Sequence, residues 1–186
     1  MHTVRGPSLA ALAAVCVVAA CDNSNGLPTA SNANAVDTVS LYALDGTPLP
    51  SPSGYNVASN SVVRTDRFTT FDFAFNITPA GQAVLLPTGA MGLGQSSGIQ
   101  VQSIAFDAVT EAPGGAYVDT TAVAIDSGTV AVVHSRAVQC SYGAIVFYYG
   151  KIEVLAVDTV ARRIDLQVLV DQNCGYRGLE PGIPRR

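Results

Sequence analysis

Arg67-Phe68-Thr69-Thr70-Phe71-Asp72-Phe73-Ala74-Phe75-Asn76 is the stretch that decides the fold class. Phe71, Phe73 and Phe75 occupy every second position, with Asp72 and Ala74 between them and Thr70 in the same phase. Successive side chains of a strand point to opposite faces, so this spacing predicts a strand with three rings on one side. Rings stacked in that way are expected to wall a core rather than to form a ligand platform.

The same period recurs on either side. Val39, Leu41 and Ala43 alternate with Ser40 and Tyr42. Ile152, Val154 and Ala156 alternate with Lys151 and Glu153, and Ile164, Leu166, Val168 and Val170 with Arg163, Asp165 and Gln167. A turn at Thr159 to Ala161 joins these last two runs into a hairpin that sets Glu153 opposite Gln167. Tyr55 to Arg64 is a weaker strand, Gln82 to Leu86 a short strand, and Gly-rich Pro87 to Gly98 a surface loop. Ile99 to Val109 reads as one strand whose apolar phase switches from Ile99/Val101 to Ile104/Phe106, which predicts a bulge near Gln102-Ser103. Tyr117 to Ile125 and Gly128 to Val138 read as a hairpin across Asp126-Ser127-Gly128. No segment sustains a 3.6-residue apolar period. The expected fold is all-β, an antiparallel β-sandwich of about 8–9 strands, with a small β-barrel as the alternative.

The N-terminal region is of another kind. Met1 to Arg5 carries one charged side chain, and Leu9 to Ala20 is apolar throughout. A spanning helix needs about 20 apolar residues, so this shorter run with small residues at its end reads as a signal peptide. Val18-Ala19-Ala20-Cys21 resembles the lipobox of bacterial lipoproteins: an aliphatic residue, two small ones, then Cys. Cys16 is the competing position, but β-branched Val15 precedes it where a small residue is needed. The resemblance implies a diacylglyceryl group on the Cys21 sulfur and cleavage before Cys21. It also implies an organisation: residues 1–20 as signal peptide, 21–35 as lipidated Cys and flexible tether, and 36–186 as a single β-rich domain. The expected location is the bacterial cell envelope, on the periplasmic or the surface side, with the membrane as partner through Cys21. Several acyl chains, at about 0.8 kcal/mol per buried methylene, make a firm anchor.

The 186 residues carry a net charge of −4, and loss of Arg5 with the signal makes it −5. A mildly acidic chain with no basic run argues against a nucleic-acid partner. With Cys16 removed and Cys21 lipidated, Cys140 and Cys174 remain, and in an oxidising compartment they are expected to form one disulfide. Continuing the hairpin register would set Cys140 opposite residue 180. The bond therefore needs a loop or bulge between Ser141 and Gly150.

Catalytic motifs are weak. Gly94-Gln95-Ser96-Ser97-Gly98 matches G-x-S-x-G, but a nucleophile elbow needs a strand before the Ser and a helix after it. Asp126 and His134 follow in hydrolase order, yet His134 sits in a strand pattern. A lone His is no zinc site, and the acids, Asp72 and Asp171 among them, are dispersed at what read as outward or turn positions. Asn76-Ile77-Thr78 is a glycosylation sequon by pattern only. Tyr148, Tyr149 and Tyr176 lie near the two cysteines in sequence and are the first guess for a binding surface, for an envelope protein or a glycan. The expectation is thus a non-catalytic binding or scaffolding domain, not an enzyme, without cofactor or metal. The alternative is a carrier of a lipid or small apolar ligand inside a barrel.

Overall fold

The computed structural model describes residues 2, 28–94, 96–140 and 143–185. The lipobox and Cys21 lie outside the described residues. Twelve strands are formed among those described: β1 Val36–Tyr42, β2 Gly54–Asn56, β3 Ser61–Val63, β4 Phe73–Ile77, β5 Ala83–Pro87, β6 Gly98–Gln102, β7 Val123–Ala124, β8 Val130–His134, β9 Val138–Gln139, β10 Ile145–Val146, β11 Tyr149–Asp158 and β12 Arg163–Asp171. Sheet I runs β1-β12-β11-β8-β6 and sheet II runs β3-β2-β4-β5-β7, with antiparallel neighbours in both, while β9 and β10 form a small separate hairpin. The sheets pack face to face as a sandwich. Neither closes on itself, so the barrel alternative does not hold.

The alternation read from sequence is the inner face of this sandwich. Leu41, Ile152, Val154, Ile164, Leu166 and Val168 from sheet I meet Tyr55, Phe73, Phe75 and Leu85 from sheet II in one core. The Tyr55 and Phe73 rings lie 5.3 Å apart. Burying each such side chain stabilises by ~1.5–3 kcal/mol. The β11–β12 hairpin has the predicted register, with Glu153 opposite Gln167. A shift between Val154 and Ala156 marks a bulge at Leu155 that sequence did not reveal. The excursion is wider than the loop or bulge expected between Ser141 and Gly150: the chain leaves sheet I after His134, forms β9 and β10, and returns at Tyr149.

Tyr55 to Arg64 is not one strand but the antiparallel β2–β3 pair, and three further readings are corrected. Ile99 to Val109 is not a bulged strand: β6 ends at Gln102, and the chain turns into a 3-10 segment at Phe106–Ala108. The phase switch arose because Ile99 faces the inner core and Phe106 a second one. Second, β7 and β8 do not pair. β7 joins β5 in sheet II and β8 joins β6 and β11 in sheet I, so the Gly128 turn crosses between layers. A two-residue period reports which face is buried and is silent about the neighbouring strand. Third, Asp72 and Asp171 are not outward: both are buried.

Sheet I is covered on its outer face as well. Val130, Val132 and Leu169 pack there with Phe106, Val109, Ala112 and Leu179, which come from the 103–112 segment and the C-terminal tail. The described part of the tail forms no strand beyond isolated bridges, yet Leu179 is fully buried. Lys151 lies between Val132 and Leu169 in the sheet and is only 1% exposed. Its ammonium donates to the carbonyls of Phe106 (2.9 Å) and Val109 (3.0 Å) and stands 4.4 Å from the Phe106 ring centre. No carboxylate forms an ion pair with it among the described residues, and burial pushes its pKa below the ordinary 10.5. In alkali the unfolded chain therefore holds this proton to higher pH than the folded protein does, which raises stability with pH between the two values. Lys151→Met is expected to lose that rise. Denaturant midpoints of the two proteins at pH 8 and pH 10 check it: equal pH slopes would refute the assignment.

Candidate functional site

The best-furnished region is one end of sheet I. β6 starts here, β8 ends, β11 starts and β12 ends, so Gly98, His134, Tyr149 and Asp171 lie side by side across the sheet. The β9–β10 hairpin, the disulfide and both terminal segments converge on this end.

The tyrosines do not make a common surface. Tyr148 and Tyr149 are adjacent in sequence and point to opposite sides: Tyr148 packs against the inner core, Tyr149 against the outer one. Tyr176 is buried; its hydroxyl donates to the Pro28 carbonyl (3.2 Å) and accepts from the Ala30 N–H (3.0 Å). It is a clamp on the N-terminal segment.

That clamp belongs to a larger clasp. Asn173 Oδ1 accepts from the N–H groups of Ser31 (2.8 Å) and Asn32 (2.9 Å), and its amide donates to the Asn32 carbonyl and to Asp171 Oδ1. Asn34 is buried, donates to the Gly178 and Glu180 carbonyls, and bridges Gly182. The tether boundary drawn at residue 35 therefore moves: residues 30–34 are docked on the C-terminal segment. The sequence signal was Asn itself, which reads as solvated chain but also satisfies backbone groups where no strand can form. Asp171 Oδ2 makes no hydrogen bond among the described residues, and burial raises its carboxyl pKa against the donors on Oδ1.

Cys140 and Cys174 are joined by a disulfide, with Cα atoms 6.0 Å apart. It ties the β9–β10 excursion to the segment that follows β12, so the hairpin, the clasp and Tyr176 form one cross-linked end.

On the outer face of sheet I, His134 sits among rings. Tyr117 meets it edge-on at 4.5 Å, Phe147 at 4.9 Å, and Tyr149 lies 6.3 Å away. Its Nδ1 is 2.8 Å from the Ser135 carbonyl, the geometry of a donating N–H. Gly98 pairs with it across the sheet, and a Cβ there would fall 2.5 Å from Nε2, so only glycine leaves room for the ring. Burial lowers the His134 pKa below the ordinary 6.5, against smaller opposing effects from the Ser135 carbonyl, Asp72 and Asp119. As pH falls through 6.5 the unfolded chain gains its proton first, so stability falls with it. His134→Gln is expected to flatten this acid slope between pH 6.5 and the lowered value. Thermal midpoints measured across that range check it, and an unchanged slope would assign the acid sensitivity to other groups.

The G-x-S-x-G residues take up other positions. Gln95 is outside the described residues, Ser96 is exposed, and strand β6 follows where an elbow needs a helix. Ser97 is the buried one: its hydroxyl donates to the Asp72 carbonyl and accepts from the Thr88 N–H at 3.1 Å. Asp126 lies at the Gly128 turn, at the opposite end of β8 from His134. Among the described residues no three His, Cys, Asp or Glu side chains cluster as metal ligands. No protein-family model and no curated protein matches this chain.

Sequence reasoning missed the residue that links the layers at this end. Asp72 Oδ1 accepts from the Arg136 backbone N–H (2.9 Å) and from its guanidinium (2.8 Å), while Oδ2 accepts from the Val57 N–H (2.7 Å). One carboxylate thus ties the segment after β8 in sheet I to the segment after β2 in sheet II. Burial raises its pKa, and the Arg136 and Val57 donors oppose that.

Proposed function

We propose that this chain is a cell-envelope lipoprotein, anchored through Cys21, whose β-sandwich binds or scaffolds an envelope protein or glycan without catalysis. The observation that supports it best is the clasp. A segment that leads back toward Cys21 is held by Tyr176, Asn173 and the Gly182 bridge at one end of the sandwich. Such a mounting serves a domain that must stand at a defined place relative to an anchor.

The test is intact mass and fractionation. The wild-type protein is expected in the membrane fraction, with a mass that starts at Cys21 and includes the acyl groups. Cys21→Ser is expected to lose both. Wild-type protein that stays soluble at unlipidated mass would end the reading.

A further inference from the structure

The end of sheet I that carries the clasp also carries an apolar projection. Ile145 in β10 is 75% exposed and Phe147 beyond it 37%. Ala137 to Gly150 holds no charged residue, and while Tyr148 and Tyr149 pack on the two cores, Ile145 and part of Phe147 face solvent. Such a composition is costly to leave in water and suits the interfacial layer of a bilayer, where ring edges and short apolar side chains enter beside the headgroups.

The position of this projection relative to the anchor is what selects its partner. Pro28 is held at Tyr176, two residues past Cys174, and Cys174 is bonded to Cys140, which follows β9 directly and donates its N–H to the Ala144 carbonyl just before β10. Ile145 pairs with Gln139, the neighbour of Cys140. β1 starts at Val36 opposite Leu169, close to the end of β12, so the N-terminal segment leaves the sheet on this same side. About seven residues separate Pro28 from Cys21. Their chain length sets an upper bound of roughly 25 Å on the distance between them. A lipid on Cys21 would thus keep this end close to the headgroups. The β11–β12 turn at Val160, which is 95% exposed, lies at the far end of β11.

We propose that the β9–β10 hairpin is a membrane-docking face, and that Ile145 and Phe147 enter the interface of the bilayer that holds the Cys21 lipid. The inference rests on the anchored reading above. The acidic net charge sets its chemistry: contact is through apolar side chains and does not require anionic lipid.

The chain has no tryptophan, so a single introduced indole reports its own depth. Lipidated protein carrying Ile145→Trp, or Val160→Trp as the distal control, is reconstituted in phosphatidylcholine vesicles with brominated acyl chains. Both positions are exposed, so neither substitution disturbs the core. The Ile145→Trp reporter is expected to be quenched at least about threefold more than the Val160→Trp reporter. Phe147→Asp in the Ile145→Trp background is expected to reduce that difference. Equal quenching of the two reporters in protein of lipidated mass would overturn the docking face and leave the anchor intact. A blue shift that follows protein concentration without bromolipid quenching would assign the hairpin to a protein contact and overturn it as well. Protein of unlipidated mass would remove the anchor, and the docking face with it.

Discussion

Asp72→Ala is expected to lower stability by about 3–5 kcal/mol, the range for removing one member of a buried ion pair. The side chain is wholly buried, and the Arg136 side chain opposite is 16% exposed. The variant would leave the guanidinium without its carboxylate and the N–H groups of Val57 and Arg136 without their acceptor. An unsatisfied buried donor costs ~1–3 kcal/mol on its own. Asp72→Asn is expected to recover only part of the loss. Its amide has one acceptor oxygen where the carboxylate has two, and all three donors cannot be met. Chemical denaturation of both variants tests this. A loss under about 1 kcal/mol for Asp72→Ala would mean that solvent or a nearby group replaces the carboxylate, and that the two sheets do not depend on it at this end.

Replacing both cysteines, Cys140→Ser with Cys174→Ser, is expected to cost ~3–4 kcal/mol by a different route. The bond spans a sequence separation of 34, and in the chain-entropy model closing such a loop acts mainly on the unfolded chain. The folded sandwich should survive, with its core unchanged, while the thermal midpoint falls by roughly 6–16 °C for a domain of this size. A reductant should lower the wild-type midpoint by a similar amount. If neither treatment moves it, the two sulfurs are not bonded in the protein. The two variants also differ in kind. Asp72→Ala removes contacts of the native state, whereas the serine pair releases entropy in the denatured one.

The legible part of the fold was the inner face. The Phe71–Phe75 alternation and the β11–β12 register follow from the two-residue period of a strand, and the need for an excursion before β11 follows from that register taken with the expected disulfide. Phe73 and Phe75 sit in the core as read, though β4 starts only at Phe73. Asp72 shows the limit. Its position in the period says that it faces away from Phe71 and Phe73, and on an isolated sheet that direction means solvent. Arg136, sixty-four residues away, covers it. Lys151 has the same history under Phe106 and Val109. The candidate site was legible only by neighbourhood: Tyr148, Tyr149, Tyr176 and the cysteines do gather at one end, but in three different roles. His134 and its rings come from three separate segments, around 117, 134 and 147–149, and nothing in the sequence joined those segments.

By itself, then, the sequence determined the all-β class and which residues face the inner core, because the two-residue period is a local property; that the sheets form a sandwich and that Cys140 meets Cys174 came from the structure. Which strands are neighbours, what covers the outer face of sheet I, and where the N-terminal segment is held were decided by tertiary structure. Those depend on contacts between residues far apart in the chain, and such contacts leave no periodic trace in either partner. The Asn-rich stretch before β1 is the clearest instance. Its composition is that of a free tether, and it is held because Asn173, Tyr176 and the Gly182 backbone offer it hydrogen bonds that only the folded C-terminal segment can arrange.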